Sequence, residues 1–338
     1  MSFALRVGVS VPRRLARRSL SSAAAAHFGS RLSTLGGPLA GALPLLPLLE
    51  AQGRKLCDPA ERRGLHPLVV PLASASPAEG AAAGDDGLIG VLLWPSAAGE
   101  LTVVRAWRQG PLRLSLTACG SPAQFARRAA VEAEAAQQEE VMVAGLRAAI
   151  AAGGAAYTPG EHAASKLSLA QYLLLKVGPF PDVWAALVRE RLAKGDETSA
   201  LVAAERAAAT NPAWGAPLYA HALALGELGR LEERRDMSLS ALECPFWTLG
   251  APYPEVLRAA EQSHVEDLRA LLREMEDRVR AQQNAPRSGR ELALLRAMDA
   301  MDAVVTAEGE WDDCRPAVAR GLVECGLGDA ARIAESEG

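Results

Sequence analysis

The sequence predicts a mainly α-helical protein in which a small antiparallel β module of three or four strands precedes an array of antiparallel helical hairpins. Alanine dominates an apolar fraction of 49%, while aromatic residues make up only 4%, and alanine is the strongest helix former. Short apolar runs separated by Gly, Pro, Asp and Ser fill residues 66–120, which is the pattern of strands and turns. From Ser121 onward, apolar residues recur at helical spacing instead.

An arginine-rich segment opens the chain and predicts import into an organelle. Six of the 36 basic residues and no acid precede Glu50, which leaves 30 basic against 40 acidic residues, or a net charge of −10, for the rest. Segments rich in Arg and Ser and free of acids are typical of transit peptides. We assign residues 1–37 to a presequence for the mitochondrial matrix, with the chloroplast stroma as the alternative. A basic arm that binds nucleic acid or anionic lipid is the other interpretation.

Residues 38–65 are interpreted as a linker. Their apolar run, residues 38–49, contains three prolines and is shorter than the roughly 20 apolar residues that a transmembrane helix needs, so we expect no membrane span.

The five cysteines are scattered and form no C-x-x-C pair, which gives no support to a zinc knuckle or a thioredoxin-like motif. Free thiols fit a reducing compartment better than secretion.

The β module is expected to occupy residues 66–120. Its strand-like runs are residues 68–72, 88–94, 101–107 and 112–117. Pro71 and Pro95 should lie at strand ends or on edge strands, because proline has no N–H for a ladder hydrogen bond. We expect residues 74–86 to form a mobile loop.

The helical region is predicted to begin at Ser121 and to fill residues 121–338. Ser121 can cap a helix that has Pro122 at its first position, and Gln124 stands at the capping-box position. The apolar face of this helix continues at helical spacing to Gly153, where we expect it to end.

Residues 184–212 have the spacing of a two-helix repeat unit. Trp184 and Leu187 stand one helical turn apart, a Gly-Asp turn follows at Gly195, and an Asn-Pro pair closes the unit at Pro212. Between the turn and the closing pair, small residues recur at steps of four and three: Ala200, Ala204 and Ala207. We predict that Trp184 and Leu187 pack on these alanines, whose methyl groups allow close approach of the helices.

A degenerate second unit follows the first. Gly229 lies 34 residues after Gly195, and the alanines at positions 207 and 241 repeat the same step. A fixed period of this length is the sequence signature of stacked helix pairs. The units are placed at about residues 181–214 and 215–246. Irregular hairpins are expected around them.

This pattern resembles the tetratricopeptide superfamily, whose helix pairs stack into a right-handed array. The resemblance covers the first unit and the turn of the second, residues 224–233. A looser likeness connects the chain to uncharacterised organellar helical proteins of plants and algae. The resemblance implies that the first helix of each unit lines a concave groove that binds a protein partner.

The outward positions of these first helices are the expected partner-binding residues. They are Asp182, Arg189 and Leu192 in the first unit, and Tyr219, Leu223 and Glu227 in the second. They lack the Lys and Asn with which chaperone-binding members hold a terminal carboxylate, so a chaperone-tail receptor is disfavoured.

Trp247 is a further candidate for partner binding. Together with Phe246 it either fills the core between hairpins or anchors a partner, a role that suits tryptophan at interfaces.

No motif for catalysis, cofactor binding or metal binding stands out. The string that begins at Gly326 fits G-x-G-x-x-A, but it follows a helix where a dinucleotide site needs a strand; a helix cap and turn is the better interpretation. The five histidines are dispersed. Paired acids such as Glu139 and Glu140 are typical of solvated helix faces. We therefore expect no catalytic, cofactor-binding or metal-ligating residue.

The sequence thus predicts a non-catalytic organellar scaffold, assembly factor or accessory subunit that binds a protein partner and belongs to a larger organellar complex. An RNA-binding helical-repeat protein is the alternative, although the acidic body disfavours nucleic acid. An enzyme with its site in residues 66–120 is the second alternative.

Overall fold

The computed structural model describes residues 28, 30–32, 37–74, 87–94, 101–137, 157–262 and 266–336. It is mainly helical, with a four-stranded antiparallel sheet on the N-terminal side. This architecture confirms the predicted fold class. Among the described helices, none combines the length and the apolar character that crossing a membrane requires.

The sheet is an antiparallel meander in the order β1, β2, β3, β4. Its strands are β1 Val69–Ser74, β2 Gly87–Leu92, β3 Thr102–Trp107 and β4 Thr117–Ala118. Pro71 lies on the edge strand β1, next to a register shift, as proline chemistry requires. Pro95 and residues 75–86 of the expected loop lie outside the described residues.

The fourth strand-like run, residues 112–117, leaves the predicted number of strands at three or four, and most of it is not a strand. Only its last residue, Thr117, belongs to β4. The backbone N–H of Leu116 donates instead to the carbonyl of Trp247 at 2.7 Å. The run therefore joins the sheet to the helical region and does not extend the sheet.

Within the described part of the chain, most helices follow the sheet in sequence. Their bounds are α1 Leu45–Ala51, α2 Pro122–Ala135, α3 Glu161–Ser165, α4 Leu169–Tyr172, α5 Pro181–Ala193, α6 Glu197–Thr210, α7 Gly215–Glu227, α8 Leu231–Glu243, α9 Tyr253–Ala259, α10 Glu266–Gln282, α11 Gly289–Thr306, α12 Trp311–Glu324 and α13 Gly328–Glu335. Ser121 caps α2 in a capping box with Gln124, as predicted. The expected continuation of this helix to Gly153 falls on residues 138–156, outside the described part of the chain.

The segment interpreted as a linker is part of the core, which corrects that prediction. A 3₁₀ helix, Gly37–Ala42, leads into α1, and both are buried through their leucines: Leu39, Leu45, Leu46, Leu48 and Leu49. Pro44 stands immediately before α1, where its missing N–H costs no helical hydrogen bond. Leu32, inside the predicted presequence, is also buried, so folded structure begins before residue 37.

Buried arginines join the same segment to the C-terminal helices. Arg315 of α12 donates to the carbonyls of Arg62 and Leu65 at 2.7 and 2.9 Å. Its Nε also donates to Asp312 at 2.7 Å. One continuous hydrophobic core includes residues from α1, the sheet, α2, the helices α7 to α9 and the helices α11 to α13. The regions 66–120 and 121–338 therefore share a core.

Candidate partner-binding surface

The first helical hairpin packs as its sequence predicts. Trp184 of α5 is buried in one cluster with the small residues of α6: Ala200, Ala203, Ala204 and Ala207. Leu187 packs against the edge of this cluster. The turns of the two units are also equivalent, since Gly195 and Gly229 have φ of +71° and +73°, a conformation that favours glycine. This packing fixes the orientation of the first helix of each unit.

The helices α5 and α7 contact each other, and apart from Asp182 three predicted partner-binding residues are exposed on them. Arg189 and Leu223 are 34 residues apart and thus occupy equivalent positions. Leu223 is 48% exposed, and Arg189 and Glu227 are exposed as well. We call these three residues the hairpin face.

Both charges of the hairpin face are available to a partner. Arg189 donates to the carbonyl of Ala185 in its own helix at 3.4 Å. In the described part of the chain, neither Arg189 nor Glu227 forms a salt bridge. Leu223 and Glu227 lie four residues apart on α7, and Arg189 has the equivalent position on α5. Together they can provide an apolar contact with a polar rim, the usual anatomy of a protein interface.

Asp182, in contrast, is engaged within the chain. Arg128 of α2 donates to both of its carboxylate oxygens, at 2.8 and 2.6 Å, and the same guanidinium lies over the ring of Phe180. Burial tends to raise the pKa of Asp182, but the hydrogen bonds and charge of Arg128 outweigh it and hold the pKa below its usual value. This pair ties α2 to α5.

Two other predicted partner residues are buried, and a third is largely covered. Trp247 is 2% exposed and Tyr219 is 8% exposed, while Leu192 packs against the Trp184 cluster. The structure thus resolves the open alternative for Trp247 in favour of the core. The sequence could not decide this, because the residues that cover Trp247 come from distant segments, as His66 shows with a ring centroid 4.8 Å away.

Phe246, next to Trp247, is held by a buried ion pair. Asp302 of α11 accepts a hydrogen bond from the backbone N–H of Phe246 at 2.7 Å and another from Arg269 of α10 at 2.7 Å. The guanidinium of Arg269 lies 4.2 Å from the centroid of the Phe246 ring. Burial raises the pKa of Asp302 to about 6. These contacts fix the 3₁₀ turn Phe246–Thr248 between the hairpins and the C-terminal helices.

The described residues offer little reactive chemistry. Within them, no three His, Cys, Asp or Glu side chains cluster as a metal site would require. Burial raises the pKa of Cys244 to about 11 and that of Cys314 to about 12, so both thiols stay protonated and weakly nucleophilic at neutral pH. Gly326 has φ of +73° and follows α12 directly, as a helix-capping glycine does.

A cavity of about 500 Å³ lies between the sheet and the second repeat unit. The sequence did not predict it. Three indoles line it, from Trp94 after β2, Trp214 before α7 and Trp247 after α8. We call this cavity the tryptophan pocket. Its members are far apart in sequence, so no local motif could reveal them. The only signal was the pair of aromatic residues at positions 246 and 247 in a chain that has few.

Two family models and a curated relative match the chain. Residues 39–176 match the model of the PAB N-terminal domain, and residues 181–266 match that of the PAB middle domain. A relative from Arabidopsis thaliana, "Protein IN CHLOROPLAST ATPASE BIOGENESIS, chloroplastic", is 30% identical over 289 residues, which cover 84% of this chain and 82% of the relative. No solved structure matches. These matches do not establish membership of the tetratricopeptide superfamily.

Proposed function

The chain belongs to the family defined by the PAB N-terminal and middle domains, and we propose from this premise that it is an assembly factor for a chloroplast ATPase. The observation that supports this most strongly is the extent of the similarity, which reaches across 84% of the chain to a relative named for chloroplast ATPase biogenesis. The family models cover residues 39–176 and 181–266, so the family similarity includes the sheet and the repeat units, and not one helical hairpin alone.

The proposed location is the chloroplast, and not the mitochondrial matrix that was our first expectation. The relative's name supports this choice, and the arginine-rich, acid-free leader suits either organelle. We place the end of the leader before residue 28, because Leu32 is buried in the core and Arg31 forms an ion pair with Asp58. Removal of these residues would expose part of the folded body.

The proposed mechanism is binding without catalysis, through the hairpin face. Leu223 supplies exposed apolar area, and Arg189 and Glu227 supply a charge of each sign. A protein component of the ATPase would be held on this face until it joins the complex. The packing of Trp184 on the α6 alanines supports this role, since it holds the backbone of α5 in place before binding and leaves only the exposed side chains to be ordered.

Removal of the protein from its own chloroplasts tests the proposal. We expect assembled ATPase to decrease on native gels while other complexes keep their abundance. Re-expression of the normal chain should restore the ATPase. The Leu223→Asp variant should restore it poorly, because a carboxylate at the centre of the hairpin face opposes apolar contact.

Val202→Asp is the matched control. Val202 is 45% exposed on α6, outside the hairpin face, so this variant should restore the ATPase fully. Normal ATPase levels after removal of the protein would contradict the proposal. Recovery of a specific RNA with the purified protein, and of no ATPase component, would favour the RNA-binding alternative.

A further inference from the structure

We propose that the tryptophan pocket binds an arginine-bearing segment of a protein partner. The inference deepens the proposed function and depends on it only in taking the occupant to be part of a protein. The pocket lies where the sheet meets the second repeat unit, and it is separate from the three residues of the hairpin face. A second contact of this kind would fix the orientation of a partner that the hairpin face holds.

The arrangement of the three indoles is the first argument. The ring of Trp247 is buried, and the rings of Trp94 and Trp214 are each centred 6.0 Å from it, inclined by 70° and 86°. Trp94 and Trp214 are themselves half-buried. The pocket thus has a buried aromatic floor and two steep, partly accessible aromatic walls. Indole faces are the preferred π partners of cations.

Charge is the second argument. Among the described residues that line the pocket, Glu243 is the one that carries a charge, and it is exposed. Within the described residues no salt bridge engages it. A carboxylate beside indole faces favours a cation and repels an anion. Arginine fits this environment better than lysine, because its planar guanidinium stacks on aromatic rings and is more weakly hydrated.

An unsatisfied donor is the third argument. The Nε1 atom of Trp247 is buried and has no hydrogen-bond partner in the described part of the chain. Buried donors are nearly always satisfied in folded proteins. Trp247 lines the pocket, so a segment that enters the pocket brings backbone carbonyls close to the indole that lacks an acceptor.

The size of the cavity indicates a short peptide segment and not one side chain alone. Its volume of about 500 Å³ lies in the middle of the range of roughly 300–1,000 Å³ that small-ligand sites occupy. Pro212, Pro245 and Leu218 complete its apolar lining and can contact the residues that flank the arginine.

Fluorine NMR of the full chain tests the proposal. With 5-fluorotryptophan at its six tryptophans, each indole gives a signal that Trp→Phe variants assign. The probe is the blocked peptide acetyl-Gly-Arg-Gly-amide, and its neutral counterpart has citrulline in place of arginine. We expect the arginine peptide to shift the Trp94 and Trp214 signals saturably, the Trp184 signal to stay unchanged, and the citrulline peptide to have little effect.

Charge variants sharpen the test without disturbing the core. Glu243→Gln should weaken the binding of the arginine peptide about fivefold, the upper range for one exposed charge pair. Glu205→Gln, which changes an exposed carboxylate on α6, should leave the affinity unchanged.

Equal shifts with both peptides, or no saturable shift at Trp94 and Trp214, would overturn the proposal. So would equal affinities in the Glu243→Gln variant and the normal chain. These measurements use purified protein and two peptides, whereas the proposed function is tested by ATPase levels in chloroplasts. The failure of either idea is therefore distinguishable from that of the other.

Discussion

His66 is a polar side chain that the fold isolates from water. It is buried between two indoles, with ring centroids 4.8 Å from those of Trp247 and Trp311. Its Nδ1 accepts a hydrogen bond from the backbone N–H of Leu68 at 3.3 Å. Burial, followed by the charge of Arg315, lowers the pKa of His66 to about 3. The imidazole is therefore neutral in the folded protein at neutral pH.

This burial predicts a loss of stability in acid. The pKa of a histidine in an unfolded chain is about 6.5. Below that pH His66 therefore binds a proton in the unfolded state but not in the folded state. The contribution of neutral His66 to the free energy of unfolding is fully present above pH 6.5. It falls by about 1.4 kcal/mol per pH unit as the pH drops from there towards 3. His66→Phe keeps a ring between the indoles and removes this dependence.

Urea unfolding at pH 7 and pH 5 measures the effect. Between these two values the normal chain should lose about 2 kcal/mol more of its unfolding free energy than the His66→Phe variant does. An identical loss in the two proteins would show that His66 is not kept neutral by its surroundings.

Gly321 allows the C-terminal helices α11 and α12 to approach each other closely. Gly321 of α12 faces α11, and a Cβ atom at this position would lie 2.9 Å from the carbonyl oxygen of Ala293 and 3.0 Å from the Cβ of Ala297. The first contact is with backbone, which cannot rotate away. Gly321→Ala should therefore destabilise the protein by about 1–3 kcal/mol, as overpacking does.

Gly328→Ala is the matched control for this substitution. Gly328 begins α13, and a Cβ atom there would meet nothing within 4 Å. We expect its melting temperature to stay equal to or slightly above that of the normal chain, because alanine is the better helix former. If thermal unfolding gives equal melting temperatures for the two variants, the close contact of α11 and α12 is wrong.

The sequence predicts correctly the elements whose structure depends on residues close together in the chain. The cap at Ser121 and the glycine turns at Gly195 and Gly229 depend on residues a few positions apart, and the structure confirms all three. The burial of α1 and of Trp247 depends on contacts between distant segments. An apolar run with prolines therefore suggests a linker, and the aromatic pair at positions 246 and 247 leaves two interpretations open.

The sequence also predicts the partner-binding surface only in part, because burial there depends on contacts between distant segments. Helical periodicity places residues on a face of α5 or α7, but it does not show what covers that face. Arg128, some fifty residues before Asp182, engages that carboxylate, and Tyr219 lies in the shared core. Arg189, Leu223 and Glu227 remain exposed because no other described element packs over them.

At the scale of the whole molecule, the two units that the sequence suggested are not independent. The sheet contacts the 3₁₀ turn at Trp247 through Leu116, and Arg315 connects α12 to the segment before the sheet. The second repeat unit is thus supported by the shared core, and the first packs around Trp184 in a cluster of its own; both units are exposed at the hairpin face. An acidic body with this geometry fits a protein that holds another protein during assembly.

Site-specific photocrosslinking in chloroplasts tests the central claim most directly. A photoreactive amino acid replaces Leu223 on the hairpin face in one protein and Val202, which is almost equally exposed, in the other. Mass spectrometry then identifies the crosslinked proteins. We predict that position 223 captures a component of the chloroplast ATPase and that position 202 does not. Capture of the same proteins from both positions, or of no ATPase component from position 223, would contradict the account.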